Sequence, residues 1–172
     1  MGEVTTRNFG LIIAYLIPGY LALHGVAKLS PAVQLWMAGQ PEPTVGGFLY
    51  LTLGSIAAGM TVSAVRWALV DTIHHRTGLP RPSWDDSKLT ERLAGLEYLV
   101  EAHYRYYQFY ANSLVAIIFS YGAWRGSEIG RATPVGIVDG GVVLIVSVFA
   151  MGSRDALRKY YHRATLLLGK RK

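Results

Sequence analysis

Apolar residues fall into four blocks along the chain, separated by stretches where charge and proline gather. The first, 9–26 (FGLIIAYLIPGYLALHGV), holds no charged residue. The second, 45–70, opens with an uncharged run, VGGFLYLTLGSIAAGMTVSA, and meets Arg66 near its far end. The third centres on FYANSLVAIIFSYGAW and begins earlier, inside a tyrosine-rich tract, so that it covers 104–124. The fourth, 134–151 (PVGIVDGGVVLIVSVFAM), carries one acid, Asp139, and opens on Pro134, a residue that a first helical turn tolerates. Each block approaches the roughly 20 residues needed to cross a bilayer core. The pattern predicts an all-α polytopic membrane protein: four transmembrane helices in a single domain over 1–172.

The stretches between the blocks have patterns of their own. Segment 71–103 starts polar (DTIHHRTG), turns through Pro80 and Pro82, and reaches Asp85, Asp86 and Ser87, good helix N-caps. Leu89, Leu93, Leu96, Leu99, Val100 and His103 then keep helical spacing. This predicts a helix from about Ser87 that enters the third span directly or bends at the interface. In the basic tail, 153–172, Leu157, Tyr160, Tyr161 and Ala164 alternate with Arg154, Arg158, Lys159 and Arg163. It reads as an amphipathic extension of the fourth span that lies on, or emerges from, an anionic leaflet.

Composition agrees with a lipid environment. Of 172 residues, 51% are apolar and 16% charged, against about a quarter charged in soluble domains. This excludes a disordered chain, a collagen-like chain and an ordinary soluble α/β enzyme. A cleaved signal peptide is the competing reading of the first block. Glu3 spoils its basic leader, and no small-x-small cleavage site follows. With no cysteine, disulfides, thiolate metal sites and catalytic thiols are excluded. The net charge of +6 matters by its location. Arg76, Arg81, Lys88, Arg92 and Arg105 lie between blocks two and three. The tail holds Arg154, Arg158, Lys159, Arg163, Lys170, Arg171 and Lys172. Only Lys28 separates blocks one and two, and only Arg125 and Arg131 separate three and four. With Arg7 on the basic side, the positive-inside rule sets both termini and the middle segment in the cytoplasm, at the plasma (inner) membrane. The basic clusters read as contacts for anionic lipid and topology signals, not as a nucleic-acid surface.

Candidate chemistry is sparse. Ser55, Gly59 and Ser63 recur every four residues and Gly54 widens the stripe, as helices that approach closely in lipid require. In the tract from Tyr104 to Asn112, Tyr107, Gln108 and Asn112 are candidates to line a polar cavity or pore, against the alternative of an interfacial aromatic belt. Asp139 joins them as an ion near the lipid, or pairs with Arg131 at the outer interface. At the cytoplasmic mouth, Glu97, Glu101 and His103 come near Asp71, His74 and Arg66. They lack any Glu-x-x-His or His-Glu-x-x-His spacing, so no metal and no cofactor is expected. Glu101 and Arg105 make an ordinary ion pair one turn apart, and Arg66 snorkels or pairs with Asp71. No P-loop, nucleophile elbow or dinucleotide fingerprint occurs. The expectation is a non-enzymatic, homo-oligomeric membrane protein, a channel or membrane-permeabilising effector. The alternatives are an accessory subunit docking a cytoplasmic protein partner through its loop, and a membrane-embedded lipid-binding protein or enzyme.

Overall fold

Pro18 shapes the first helix. A proline has no amide hydrogen, and its ring crowds the carbonyl four residues back, here that of Ala14. In the computed structural model, which describes residues 10, 12–38 and 44–169, a π-helical turn over Ile12–Leu16 precedes a regular helix over Ile17–Leu29. Together they form α1 (Ile12–Leu29). Ser30 then caps the short α2 (Pro31–Met37), its hydroxyl accepting the Val33 amide at 3.5 Å. Thr44 caps α3 (Val45–Arg76) in the same way, through Gly47 at 3.0 Å. A second π-helical turn, Trp67–Asp71, interrupts α3. Helix α4 covers 93–126: Leu93–Leu99, a π-helical turn over Val100–Tyr104, then Arg105–Gly126. The short α5 (Glu128–Ala132) and the long α6 (Ile137–Leu168) complete an architecture with no strand among the described residues.

Three of these helices, α1, α3 and α6, are long and apolar enough to cross a membrane. The third expected span, 104–124, does not join them on composition. Its helix, Arg105–Gly126, is long enough, but Tyr106, Tyr107, Gln108, Asn112 and Ser113 dilute its apolar character. Burial runs opposite to hydropathy. Helix α4 hides Tyr107, Gln108, Ala111, Asn112, Ser113, Leu114, Ala116 and Ala123. By contrast, only 17% of the most apolar window of α3 and 6% of that of α6 is buried. Helices α1, α3 and α6 all pack on α4. One core joins Ala22 of α1 and Val62 of α3 to Ala116. The other joins Val70, Leu79 and Leu99 to Tyr107, Ala111 and Leu114, and to Ala156, Leu157, Tyr160 and Ala164 of α6.

The small-residue stripe works inside the chain. A Cβ on Gly59 would run into the Tyr15 carbonyl, and one on Gly19 into the Ser55 carbonyl, so α1 and α3 cross with backbones in contact. Gly54 receives the Trp36 ring of α2. Other boundaries move. The helix expected from Ser87 starts at Leu93 instead. Asp85 accepts the Ser87 amide at 3.2 Å and its hydroxyl at 2.6 Å, closing a short turn over Asp86–Lys88 rather than starting a helix. The fourth block begins its helix at Ile137, with Pro134 ahead of it. Phe9, Arg7, Lys170, Arg171 and Lys172 lie outside the described residues.

Helix α6 has 32 residues, about 48 Å at 1.5 Å per residue, well beyond a hydrocarbon core of about 30 Å. Its second half buries Leu157, Tyr160, Ala164 and Leu168, which spends its apolar stripe on α4 and on segment 77–92. Trp84 Nε1 donates to Thr165 Oγ1 at 3.1 Å, the Asp85 amide to the Gly169 carbonyl at 3.3 Å, and Arg154 to Thr77 Oγ1 at 2.7 Å. Segment 77–92 is thus a folded cap strapped to the tail.

Candidate functional site

The π-helical turn at Trp67–Asp71 decides the local chemistry. Its i→i+5 spacing brings Arg66 and Asp71, five residues apart, to one side of α3. Arg66 donates to Asp71 Oδ1 at 2.8 Å, with side chains 5% and 16% exposed. The Tyr107 hydroxyl donates to the same carboxylate oxygen, and the Arg66 guanidinium lies 5.2 Å from the Tyr107 ring centroid. This gathers three residues of the expected set, Arg66, Asp71 and Tyr107, at the junction of α3 and α4. Arg66 Nε is buried and has no hydrogen-bond partner among the described residues.

Gln108 and Asn112 share a face, and that face meets α1. Gln108 donates to Tyr15 Oη at 3.0 Å and accepts from Arg105 at 3.1 Å. Asn112 Nδ2 donates to the Ala14 carbonyl at 2.7 Å, the group that Pro18 leaves without its helical donor. Asp139 sits at the far end of the bundle. It accepts from Arg125, from Tyr121 and from the Gly136 amide at 2.8 Å. Arg125 also donates to the Gly130 and Thr133 carbonyls at 2.9 and 2.7 Å, so it fastens the turn between α4 and α6. The partner of Asp139 is Arg125, one of the two basic residues of that connection, and not Arg131.

The cluster expected at a cytoplasmic mouth disperses. Glu101 pairs with Arg105 at 3.4 Å. His74 Nε2 lies 3.0 Å from Ser153 Oγ, His75 Nε2 lies 2.9 Å from Tyr161 Oη, and Glu97 is exposed. Partial burial, reinforced by Arg163 and Lys159 against a smaller pull from Asp155, holds the His103 imidazole below its ordinary pKa. No three His, Asp or Glu side chains converge among the described residues.

Two cavities flank the Arg66–Asp71 pair. The first is a groove of about 830 Å³ between α1 and α3. Phe48, Thr52, Ile56, Met60, Ser63 and Trp67, spaced by three or four, form one wall; Ile12, Tyr15 and Leu16 form the other, and Arg66 closes one end. The second is a chamber of about 400 Å³ beneath the cap. Trp67, Trp84, Tyr104, Tyr160 and Tyr161 supply aromatic walls, with Asp71, Arg81 and Asp86 among them. Arg81 and Asp86 are exposed and form no ion pair among the described residues. Sequence reasoning did not assemble this chamber. Its available signals were a tryptophan inside a proline-bounded polar loop, Trp84, and a tyrosine pair inside a basic helix, Tyr160 and Tyr161.

Compared with protein-family models, with curated proteins and with solved structures, the chain matches none.

Proposed function

We propose that the chain is an integral membrane protein with four crossings, both termini and the 77–92 cap in the cytoplasm, serving as a non-enzymatic binding component. Enclosure of α4 supports its crossing despite its polarity. Its amides and hydroxyls bond to α1 and α3, so few polar groups are left to meet lipid. The observation that carries the binding reading is the chamber under the cap. Aromatic walls suit an organic ammonium, while Arg81 and Asp86 offer one charge of each sign without an ion-pair partner among the described residues. The ligand class that fits is a small zwitterion or zwitterionic headgroup. Anionic lipid around the basic tail and a cytoplasmic protein on the cap are compatible additions.

The absence of cysteine makes the topology testable with single introduced thiols. Ser83→Cys and Glu128→Cys flank α4. Labelling by an impermeant maleimide from opposite faces of sealed vesicles is expected; labelling from one face would defeat the four-crossing reading. Phosphocholine is the ligand probe, added to protein in a sugar-headed detergent. A saturable change in tryptophan fluorescence, lost in Trp84→Leu, is expected. A flat titration, or an equal response in that variant, would refute the chamber's role.

A second reading, homo-oligomerisation, draws on the outer face of α6. A Cβ added at Gly140 or Gly141 would meet only open space there, beside exposed Val138, Val143 and Leu144, a surface suited to another copy. Gln108 and Asn112 are committed to α1 within one copy, so any conduit would lie between copies. A strictly monomeric mass in detergent would remove this reading.

A further inference from the structure

We propose that the chamber under the cap selects a primary ammonium over its methylated forms, its three N–H groups donating to Asp71 Oδ2, Tyr104 Oη and Tyr160 Oη, in a ligand whose anionic end meets Arg81. This rests on the binding reading above and narrows its ligand class to zwitterions of the phosphoethanolamine kind. Three oxygens in the chamber's walls are unclaimed. Arg66 and Tyr107 both donate to Asp71 Oδ1, and Oδ2 has no hydrogen-bond partner among the described residues. The Tyr161 hydroxyl is joined to His75 Nε2 at 2.9 Å. The hydroxyls of Tyr104 and Tyr160, which line the same space, have no such partner among the described residues. All three oxygens stay open to solvent, unlike Arg66 Nε. Tyr160 is otherwise only 9% exposed, and the chamber is the opening that it lines.

The side chains that carry these oxygens are contiguous. The Tyr104 ring lies 5.0 Å from that of Tyr160 and 5.7 Å from that of Tyr107, the donor to Asp71. Trp84 meets Tyr160 and Tyr161 edge-on, at 87° and 73°, so these walls form a corner and not a stack. The volume of about 400 Å³ suits a molecule of headgroup size, since small-ligand sites begin near about 300 Å³. A primary ammonium has three N–H donors and no acceptor. Each methyl group removes one donor and leaves a wall oxygen without a partner once water is expelled. Asp71 already balances Arg66 at 2.8 Å, so a bare amine would bring uncompensated charge. A ligand that carries its own anion does not. Arg81, exposed on the cap and without an ion-pair partner among the described residues, is available to that anion.

The test titrates the full chain, in a sugar-headed detergent, with phosphoethanolamine, its N-methyl and N,N-dimethyl forms and phosphocholine, read by tryptophan fluorescence. Affinity should fall with each methyl group, by about tenfold or more across the series. Tyr104→Phe and Tyr160→Phe keep the rings and remove one oxygen each, and each should narrow that range to about threefold or less. Affinities that are equal across the series or rise with methylation would overturn the ammonium assignment while the chamber reading stands. So would an unaltered range in both variants. No response to any member would instead defeat the chamber reading itself. Ethanolamine, which lacks the anion, should bind at least about tenfold more weakly than phosphoethanolamine; equal binding would overturn the part given to Arg81. Repeating the titration in phosphatidylglycerol nanodiscs, with and without dioleoylphosphatidylethanolamine, separates the two sources of this chemistry. A higher apparent Kd for phosphoethanolamine when that lipid is present supports a lipid headgroup as the ligand, and an unchanged Kd supports a free zwitterion.

Discussion

The bond from Asn112 to the Ala14 carbonyl ties sequence to fold most directly, and Asn112→Leu tests it. Nδ2 donates to that carbonyl at 2.7 Å, with both residues fully buried. The variant strands the carbonyl, a loss of about 1–3 kcal/mol. It also deletes Asn112 Oδ1, a buried acceptor with no partner among the described residues, and so recovers part of that loss. A single variant therefore mixes two effects of opposite sign. Pro18→Ala separates them, because an alanine at position 18 has the amide that proline lacks and can close the ordinary i→i−4 bond to Ala14. In that background the carbonyl no longer depends on Asn112, whereas the Oδ1 effect is unchanged. The cycle over both positions should show a coupling of about 1 kcal/mol, between the roughly 0.6 average and 1.7 maximum for hydrogen bonds inside membrane proteins. The assay is unfolding by SDS in mixed micelles, followed by tryptophan fluorescence. Additivity within about 0.3 kcal/mol would refute the claim that Asn112 stands in for the donor missing at Pro18.

Gly59→Leu should cost about 3 kcal/mol or more by forcing α1 off α3, and Gly122→Leu, at a position open to its surroundings, little; recovery of folded protein after detergent extraction distinguishes them, and equal recovery would reject the close crossing. Arg66→Met leaves Asp71 unpaired and should destabilise by about 3–5 kcal/mol. The Arg66→Met/Asp71→Asn pair keeps an acceptor for Tyr107 and should regain at least half in the same SDS assay; no regain would mean that the charge pairing is not what Arg66 supplies. His103 favours its neutral form in the fold, so its contribution is intact above the ordinary histidine pKa, about 6.5. It is lost as pH falls below that value toward the depressed folded one. His103→Gln should flatten the thermal-stability profile across that acid range, and an unchanged slope would count against the assignment.

Much of the fold was legible because two sequence patterns do not depend on context. Apolar runs marked α1, α3 and the first half of α6, and four-residue spacing marked Ser55 and Gly59 as a close crossing. What spacing could not say was which surface the crossing meets, since a small residue reads the same toward α1 as toward another copy. Helix starts were misread where a side chain had a nearer option: Asp85 spends its carboxylate on Ser87 instead of capping a long helix. The pairing of Arg66 with Asp71 was among the expectations, but its geometry was not, because a π-helical turn leaves no period in the sequence. The chamber was out of reach for a similar reason. Its walls come from 67–71, 81–86, 104 and 157–161, and only the packing of cap on tail brings those stretches together.

The position of α4 shows why the third block resisted a reading from composition alone. Hydropathy scores a helix against lipid, as though every face met hydrocarbon. In α4 most of the buried polar side chains bond to neighbours: Tyr107 to Asp71, Gln108 to Tyr15, Asn112 to Ala14, and Ser120 to the Leu21 carbonyl at 2.7 Å, while the buried Ser113 hydroxyl has no partner among the described residues. The exposed residues of the same helix include Ile118 and Phe119, which suit lipid. A helix of this kind is polar because it is central. Its neighbours can then be almost uniformly apolar, since each needs polar partners only on the side that faces α4. The carbonyl that Pro18 frees on α1 is one such group, and it is matched from α4 by the Asn112 amide.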